Sequence, residues 1–320
     1  KILNEFEIIE YYFKPKLLNN QYVPTLGIGD DAAVISIKEG EELVVSMDTL
    51  VEGVHFLRDT SPRDIASKSV LVNLSDMAAM GAAPRWITLS LTLPENNIDW
   101  IKKFSSQFNN LAAKYSLLLI GGDLTKGPLS ITIQMHGTVP KGRFLCRSGA
   151  KPGDLIYVTG ELGAAAYTLR YFLNPDKNLE PTKEEIKKLN QPEPRIQAGI
   201  VLRDIATSCI DISDGLFSDL NHILKASNVG AEIKLSNIPY SKSLKKLNKE
   251  LAIDLALTGG DDYELCFTIP PHISQSDLKE MITTVEIHYI GKIDQTCSKL
   301  NLIDESGRIY KFKSKGYQHF

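Results

Sequence analysis

The stretch P-K-G-R-F-L-C-R-S-G-A-K-P-G-D-L-I-Y-V-T, residues 140–159, decides how this chain is organised. Its first part, residues 140–153, mixes Pro140, Gly142, Gly149, Pro152 and Gly153 with Lys141, Arg143, Arg147 and Lys151, a punctuation that neither a helix nor a strand tolerates. The apolar run 155–159 then begins a new pattern. A domain boundary is expected here, giving an N-terminal domain 1–140 and a C-terminal domain 141–320. A chain of 320 residues is long for one core and comfortable as two.

Reading outward toward the N-terminus, residues 98–115 have helical spacing between strand-like runs at 86–93 and 117–120, and a further strand is expected at 129–139. Ser61-Pro62 is a cap followed by proline at the first helical position, leading a helix through Met80. Strands are expected at 32–37 and 43–47, and a helix at 4–13 with Asn4 and Glu7 as a capping box. Toward the C-terminus the order is strand 155–159, helix from Leu162, strand 209–212, helix from Leu216, strand 231–235, strand 262–269 and strand 286–293. The lysine-bearing stretches 182–189 and 241–250 interleave apolar residues at helical spacing and read as solvated helix faces. Both halves are α/β.

The 43% hydrophobic and 23% charged fractions are those of an ordinary globular protein. A net charge of −3 offers no broad attraction for nucleic acid or anionic lipid. Cys146, Cys209, Cys266 and Cys297 are far apart and lack metal-ligand spacing, which suits free thiols in a reducing cytoplasm. No apolar stretch has membrane-spanning length, and the first ten residues are unlike a secretory signal.

One pattern recurs: an apolar run, then aspartate beside a small residue. It occurs at Asp30 and Asp31, Asp48, Asp76, Asp123, Asp211 and Asp214, and Asp261 and Asp262. Any one of these reads as a turn or helix cap. As a set at strand ends, without matching lysines, they would repel one another unless divalent cations joined them. Magnesium binds through a few carboxylates and takes further ligands from substrate phosphates. The pairs Gly121-Gly122 and Gly259-Gly260, with Gly27 and Gly29, allow close backbone approach to anionic oxygens. No P-loop, dinucleotide fingerprint or kinase catalytic loop occurs. Arg147 reads equally as a phosphate contact and as a linker charge, and His55 as a packed or capping residue before a substrate contact. No nucleophile–base arrangement stands out.

The segments G-I-G-D-D-A-A-V-I, S-M-D-T-L-V-E-G-V-H-F, V-N-L-S-D-M-A-A-M-G-A, L-I-G-G-D-L-T-K-G, R-S-G-A-K-P-G-D, D-I-S-D-G-L-F-S-D-L and T-G-G-D-D-Y-E-L-C-F together resemble the thiamine-monophosphate kinase family, in order and over nearly the whole chain. The resemblance implies the two-domain fold shared with aminoimidazole ribonucleotide and selenophosphate synthetases, with homodimerisation through the N-terminal mixed sheets and a C-terminal α/β sandwich. It implies transfer of the ATP γ-phosphoryl group to thiamine monophosphate with several Mg2+ ions. It also implies metal ligation by Asp31, Ser46, the Met47 carbonyl, Asp48, Asp76, Asp123, Asp211 and Asp214, with Asp48, Asp76 and Asp123 organising the reaction. Gly122, Asp123, Arg147 and Ser213 would touch ATP, and His55, Asp261 and Tyr317 the acceptor. Met47 stands where threonine is common in the family, and Asp261 where some members have glutamate. Asp30 is an alternative ligand to Asp31, since strand neighbours point opposite ways.

Three other readings stand beside this one: another ATP-using synthetase of the superfamily, a non-catalytic Mg-nucleotide-binding regulator, and a slow phosphatase using the same metals.

Overall fold

A computed structural model describes residues 3–14, 22–176, 179–295 and 299–311. The chain divides into two compact units: one holds the described residues up to Met77 together with Ala82–Gly142, the other Ala78–Gly81 and the described residues from Arg143 onward.

The first unit opens with helix α1 (Glu5–Ile8). The expected capping box is present: the Glu7 N–H donates to Asn4 Oδ1 at 2.9 Å and the Asn4 N–H to Glu7 Oε2 at 3.0 Å. A π-helical turn, Ile9–Phe13, continues it and sets Phe13 against Phe104 and Phe108. Strand β1 (Glu41–Val51), helix α2 (Pro62–Ala79), strand β2 (Ala83–Leu93), helix α3 (Ile98–Lys114), strand β3 (Leu118–Lys126) and strand β4 (Ser130–Pro140) follow. The sheet order is β1-β4-β2-β3. β4 runs antiparallel to both neighbours, while β2 and β3, linked by the α3 crossover, are parallel.

Alternation along β4 shows which face is covered. Ile131, Ile133 and Met135 are fully buried between half-buried Thr132, Gln134 and His136. Helix α2 is buried almost continuously from Ile65 to Ser75, polar residues included. Its interior polar groups bond back along the helix, Ser69 Oγ to the Ile65 carbonyl and Asn73 Nδ2 to the Ser69 carbonyl. On β1 the outward row Leu43, Val45 and Met47 stays exposed.

The expected strand at 32–37 does not form. The alternation is real, because Ala33, Ile35 and Ile37 pack on the cluster of Tyr22, Trp86, Leu118 and Ile120. The segment packs on side chains, and among the described residues its one ladder-like contact is the isolated bridge Leu26↔Val34.

The second unit contains β5 (Leu155–Thr159), α4 (Ala164–Leu173), α5 (Lys183–Asn190), α6 (Ile196–Leu202), β6 (Ser208–Asp211), α7 (Leu216–Ser227), β7 (Gly230–Lys234), α8 (Lys249–Thr258), β8 (Leu265–Ile269), α9 (Gln275–Met281), β9 (Ile287–Asp294) and β10 (Leu300–Ile303). Its six-stranded sheet has the order β10-β7-β9-β5-β8-β6, with only β10 and β7 parallel. β8 is buried along its whole length, and β5 nearly so. The core runs from Ile156 and Val158 through Leu216, Leu220 and Ile223 to Leu257.

Two expectations are corrected in this unit. Residues 241–250 are not one helix: a 3-10 turn, Leu244–Lys246, ends before Asn248, whose side chain accepts the Leu251 N–H and starts α8 afresh. β8 begins at Leu265 and not at 262, because Asp261 and Tyr263 adopt left-handed backbone, at φ 59° and 50°, incompatible with a strand.

Candidate functional site

In the first unit, a cavity of about 620 Å³ opens at the β3 edge of the sheet. Asp30, Asp31, Gly121, Gly122 and Asp123 line it, opposite Phe6, Ile9 and Phe13. The Asp31 N–H donates to Asp30 Oδ1 at 2.9 Å, so the Asp-Asp turn satisfies part of its own charge. Gly122 is required for packing, since a Cβ there would stand 1.9 Å from the Leu89 carbonyl oxygen. β2 and β3 therefore approach each other at the mouth of the cavity.

Asp48 lies elsewhere. Its register row runs Asp48–Ile133–Leu89–Gly122 across the sheet, so Asp48 and the glycine pair occupy opposite edges. Three strand spacings separate them, about 14 Å. Asp123 belongs to the next row, Thr49–Thr132–Ser90–Asp123, and faces the other side of the sheet. Ser46 and Asp48 share the inner face of β1, whereas Met47 points out at 62% exposure. Burial pushes the Asp48 carboxyl above its usual range. The Ser46 hydroxyl is buried without a hydrogen-bond partner. Asp76 is half-buried on α2, one residue before Met77, which lies against Gly137 of β4.

His55 follows β1 in a turn. The Val51 N–H donates to its Nδ1 at 3.0 Å, which puts the proton of the neutral ring on Nε2, and buried Lys68 donates to its carbonyl at 2.9 Å. Its capping part is thus present, with Nε2–H as a donor.

In the second unit two of the aspartate motifs come together. Asp211 ends β6, the loop after it carries Ser213 and Asp214, and the loop before β8 carries Asp261 and Asp262. The Asp261 N–H donates to the Ser213 carbonyl and the Tyr263 N–H to the Ile212 carbonyl, both at 2.8 Å. A Cβ on Gly260 would stand 2.7 Å from the Ser213 oxygen, and one on Gly215 2.7 Å from the Leu257 oxygen. Asp262 turns the other way. Its carboxylate accepts the Gly163 N–H at 2.9 and 3.1 Å, and burial pushes its pKa well up. Arg147 is exposed on a loop whose Gly149 and Ala150 N–H groups both donate to Ser227 Oγ.

Three functional candidates escaped the sequence reading. Asp219, on the first turn of α7, accepts the Asp214 N–H at 3.0 Å; burial, then the charges of Asp211 and Asp214, push it up to about 8. Its signal was an acid five residues after Asp214, facing back over its own loop. Arg195 and Glu264 form a bidentate pair at 2.7 Å with side chains only 10% and 3% exposed, and Thr159 Oγ1 adds a bond at 2.6 Å. Their separation of sixty-nine residues leaves no local pattern to read.

Among the described residues, no three carboxylate, imidazole or thiol groups converge on one point as a metal cage would. Cys146, Cys209 and Cys266 are free thiols; Cys297 and Tyr317 lie outside the described residues. No helix among the described residues is long and apolar enough to cross a membrane.

Residues 29–139 match the family described as AIR synthase related protein, N-terminal domain, and residues 151–298 match the corresponding C-terminal domain. The thiamine-monophosphate kinase of Buchnera aphidicola subsp. Schizaphis graminum is 47% identical, covering 99% of both chains. That of Escherichia coli K12 is 45% identical over 99% of this chain and 98% of its own. Among solved structures, thiamine-monophosphate kinase from Stenotrophomonas maltophilia aligns with TM-score 0.81 and 42% identity, covering 90% of this chain and 92% of that one. A structure described as AaThiL complexed with AMPPCP and TMP aligns with TM-score 0.77 and 32% identity, covering 92% of each.

Proposed function

Because the chain belongs to the thiamine-monophosphate kinase family, we propose that it transfers the γ-phosphoryl group of ATP to thiamine monophosphate in one in-line step, giving thiamine diphosphate and ADP. The observation that carries this reading is the full-length likeness to a protein complexed with AMPPCP, an ATP analogue, and TMP. The acceptor is a phosphate monoester with a second pKa of about 6, already largely dianionic at neutral pH, so no protein general base is needed. That suits a sequence in which no nucleophile–base arrangement stands out. Phosphoryl transfer asks chiefly for alignment and charge neutralisation.

Each group then has a task. Gly122 and Asp123 at the β3 edge, with Arg147 and Ser213, hold ATP. His55 donates from Nε2 to the acceptor, which Asp261 and Tyr317 also contact. The donor chemistry fits magnesium: Ser46 offers a buried hydroxyl oxygen without a hydrogen-bond partner among the described residues, on the same strand face as Asp48, whose carboxyl burial pushes above its usual range and whose charged form a cation would favour. Asp31 or Asp30, the Met47 carbonyl, Asp76, Asp123, Asp211 and Asp214 complete the oxygen set. When bound, magnesium would supply neutralisation of the charge on the phosphate oxygens.

A cytoplasmic homodimer is part of the proposal. The exposed apolar row Leu43, Val45 and Met47 on β1 supports an N-terminal sheet-to-sheet interface. So does the separation of Asp48 and Asp123 to opposite edges and faces of one sheet, which a second copy would offset. A sedimentation-velocity mass equal to the monomer would remove the dimer.

The central test is incubation with Mg-ATP and either thiamine or thiamine monophosphate. Thiamine diphosphate is expected from the monophosphate alone. No product across a range of magnesium concentrations, from protein shown to be folded, would overturn the assignment.

A further inference from the structure

The loop before β8 spells G-G-D-D-Y-E, residues 259–264, and is built at a conformational cost. Gly260 at φ 66°, Asp261 at 59° and Tyr263 at 50° all take left-handed backbone, which glycine adopts freely and tyrosine rarely. Non-glycine residues persist there only when surrounding contacts over-determine them, and such strain gathers at functional sites. The last four residues of the turn are tied down: the Asp261 N–H to Ser213, the Asp262 carboxylate to Gly163, the Tyr263 N–H to Ile212, and the Glu264 carbonyl to the Ile212 N–H at 2.8 Å. The bidentate Arg195–Glu264 pair locks the far end.

This backbone achieves one thing that a relaxed strand would not. In a strand, residues 261 and 263 would share a face and run parallel, with no reason for their tips to meet. In the observed turn the Tyr263 phenol donates to Asp261 Oδ1 at 3.1 Å. Both residues are half-buried, and one oxygen of the carboxylate is fixed.

We propose that Tyr263 is a positioning residue for the acceptor: its hydroxyl orients the Asp261 carboxylate toward thiamine monophosphate. The inference rests on the reading that Asp261 faces the acceptor. Tyr263 acts through Asp261 and has no part in holding ATP. A hydrogen bond to a charged group fixes both direction and rotamer, so its loss lets the carboxylate rotate away from the geometry the acceptor requires.

The test uses the full-length protein with thiamine monophosphate and Mg-ATP as substrates. Tyr263→Phe removes only the hydroxyl. The KM for thiamine monophosphate is expected to rise roughly tenfold, the effect of one charge-assisted hydrogen bond. The KM for ATP and the melting temperature should stay unchanged, and kcat should fall by a smaller factor. Asp261→Asn should raise the same KM, and adding Tyr263→Phe to it should produce no further rise, because the two act as one unit. An unchanged acceptor KM in Tyr263→Phe, or equal rises for both substrates, overturns the inference while Asp261→Asn still supports the acceptor reading. An unchanged acceptor KM in Asp261→Asn removes that reading and the inference with it.

Discussion

Replacing Gly122 by alanine should unfold the first unit about 10 °C early, through β2 and not through the loss of a ligand. The added Cβ would stand 1.9 Å from the Leu89 carbonyl oxygen, 2.8 Å from its carbon and 3.1 Å from the Leu89 nitrogen. A comfortable carbon–oxygen contact is about 3.3 Å, so β3 must withdraw by roughly 1.4 Å at that point. All three neighbouring atoms are backbone, leaving no side chain to swing aside. Overpacking of this kind costs about 1–3 kcal/mol, and a ladder hydrogen bond disturbed by the withdrawal adds about 1 kcal/mol. With a total of about 3 kcal/mol and roughly 3 °C per kcal/mol for a domain of this size, calorimetry should report a fall of about 10 °C. The neighbouring Gly121 is the control, because a Cβ there meets only the Thr88 methyl at 3.9 Å, and its alanine variant should melt within about 2 °C of the parent. If Gly122→Ala keeps the parental melting temperature and loses only ATP affinity, the glycine exists for the ligand and the packing argument fails.

Asp48→Asn should lower turnover by roughly a thousandfold while leaving the metal-free fold as stable or slightly more so, because burial already penalises the Asp48 charge. Steady-state kinetics beside urea denaturation checks it, and near-normal turnover would remove Asp48 from the metal set. Arg195→Met leaves Glu264 buried and unpaired at 3% exposure, so urea unfolding should show a loss of about 3–5 kcal/mol, largely restored when Glu264→Gln is added. Asp219 binds its proton more tightly folded, near pH 8, than unfolded, near 3.8. In chelator-treated protein its contribution is therefore greatest below pH 4 and is lost as pH climbs toward 8. Asp219→Asn should flatten that slope in denaturation midpoints taken between pH 5 and 8, and an unaltered slope would assign it to other groups.

Periodicity made α3 and the strands β2, β4 and β5 legible, while Ser61-Pro62 announced α2 and Asn4 with Glu7 announced α1, all from patterns within a dozen residues. Residues 32–37 were misleading because alternation reports a covered face and says nothing about a neighbouring strand edge. α6, α9 and β10, of seven, seven and four residues, are too short for periodicity to register. At the site, the repeated Asp beside glycine was visible as a motif, yet which motifs meet is a matter of topology. The sheet order β1-β4-β2-β3 sends Asp48 and Gly122 to opposite edges, a separation no spacing encodes. Arg195 was invisible for a related reason, since its partner Glu264 lies sixty-nine residues away, and the Tyr263–Asp261 bond because it depends on a left-handed turn that no spacing announces.

The interlocking of the two loops of the second unit bears on protein engineering. The turn at 259–264 borrows its backbone acceptors from Ile212 and Ser213, and position 215 in turn must stay glycine because the backbone of Leu257 and Thr258 passes against it. Neither loop carries the instructions for its own shape. A chimera that imports only one of them from a relative with another acceptor would inherit a segment without its mould, so residues 211–216 and 257–264 form a single exchangeable cassette despite the forty residues of chain between them.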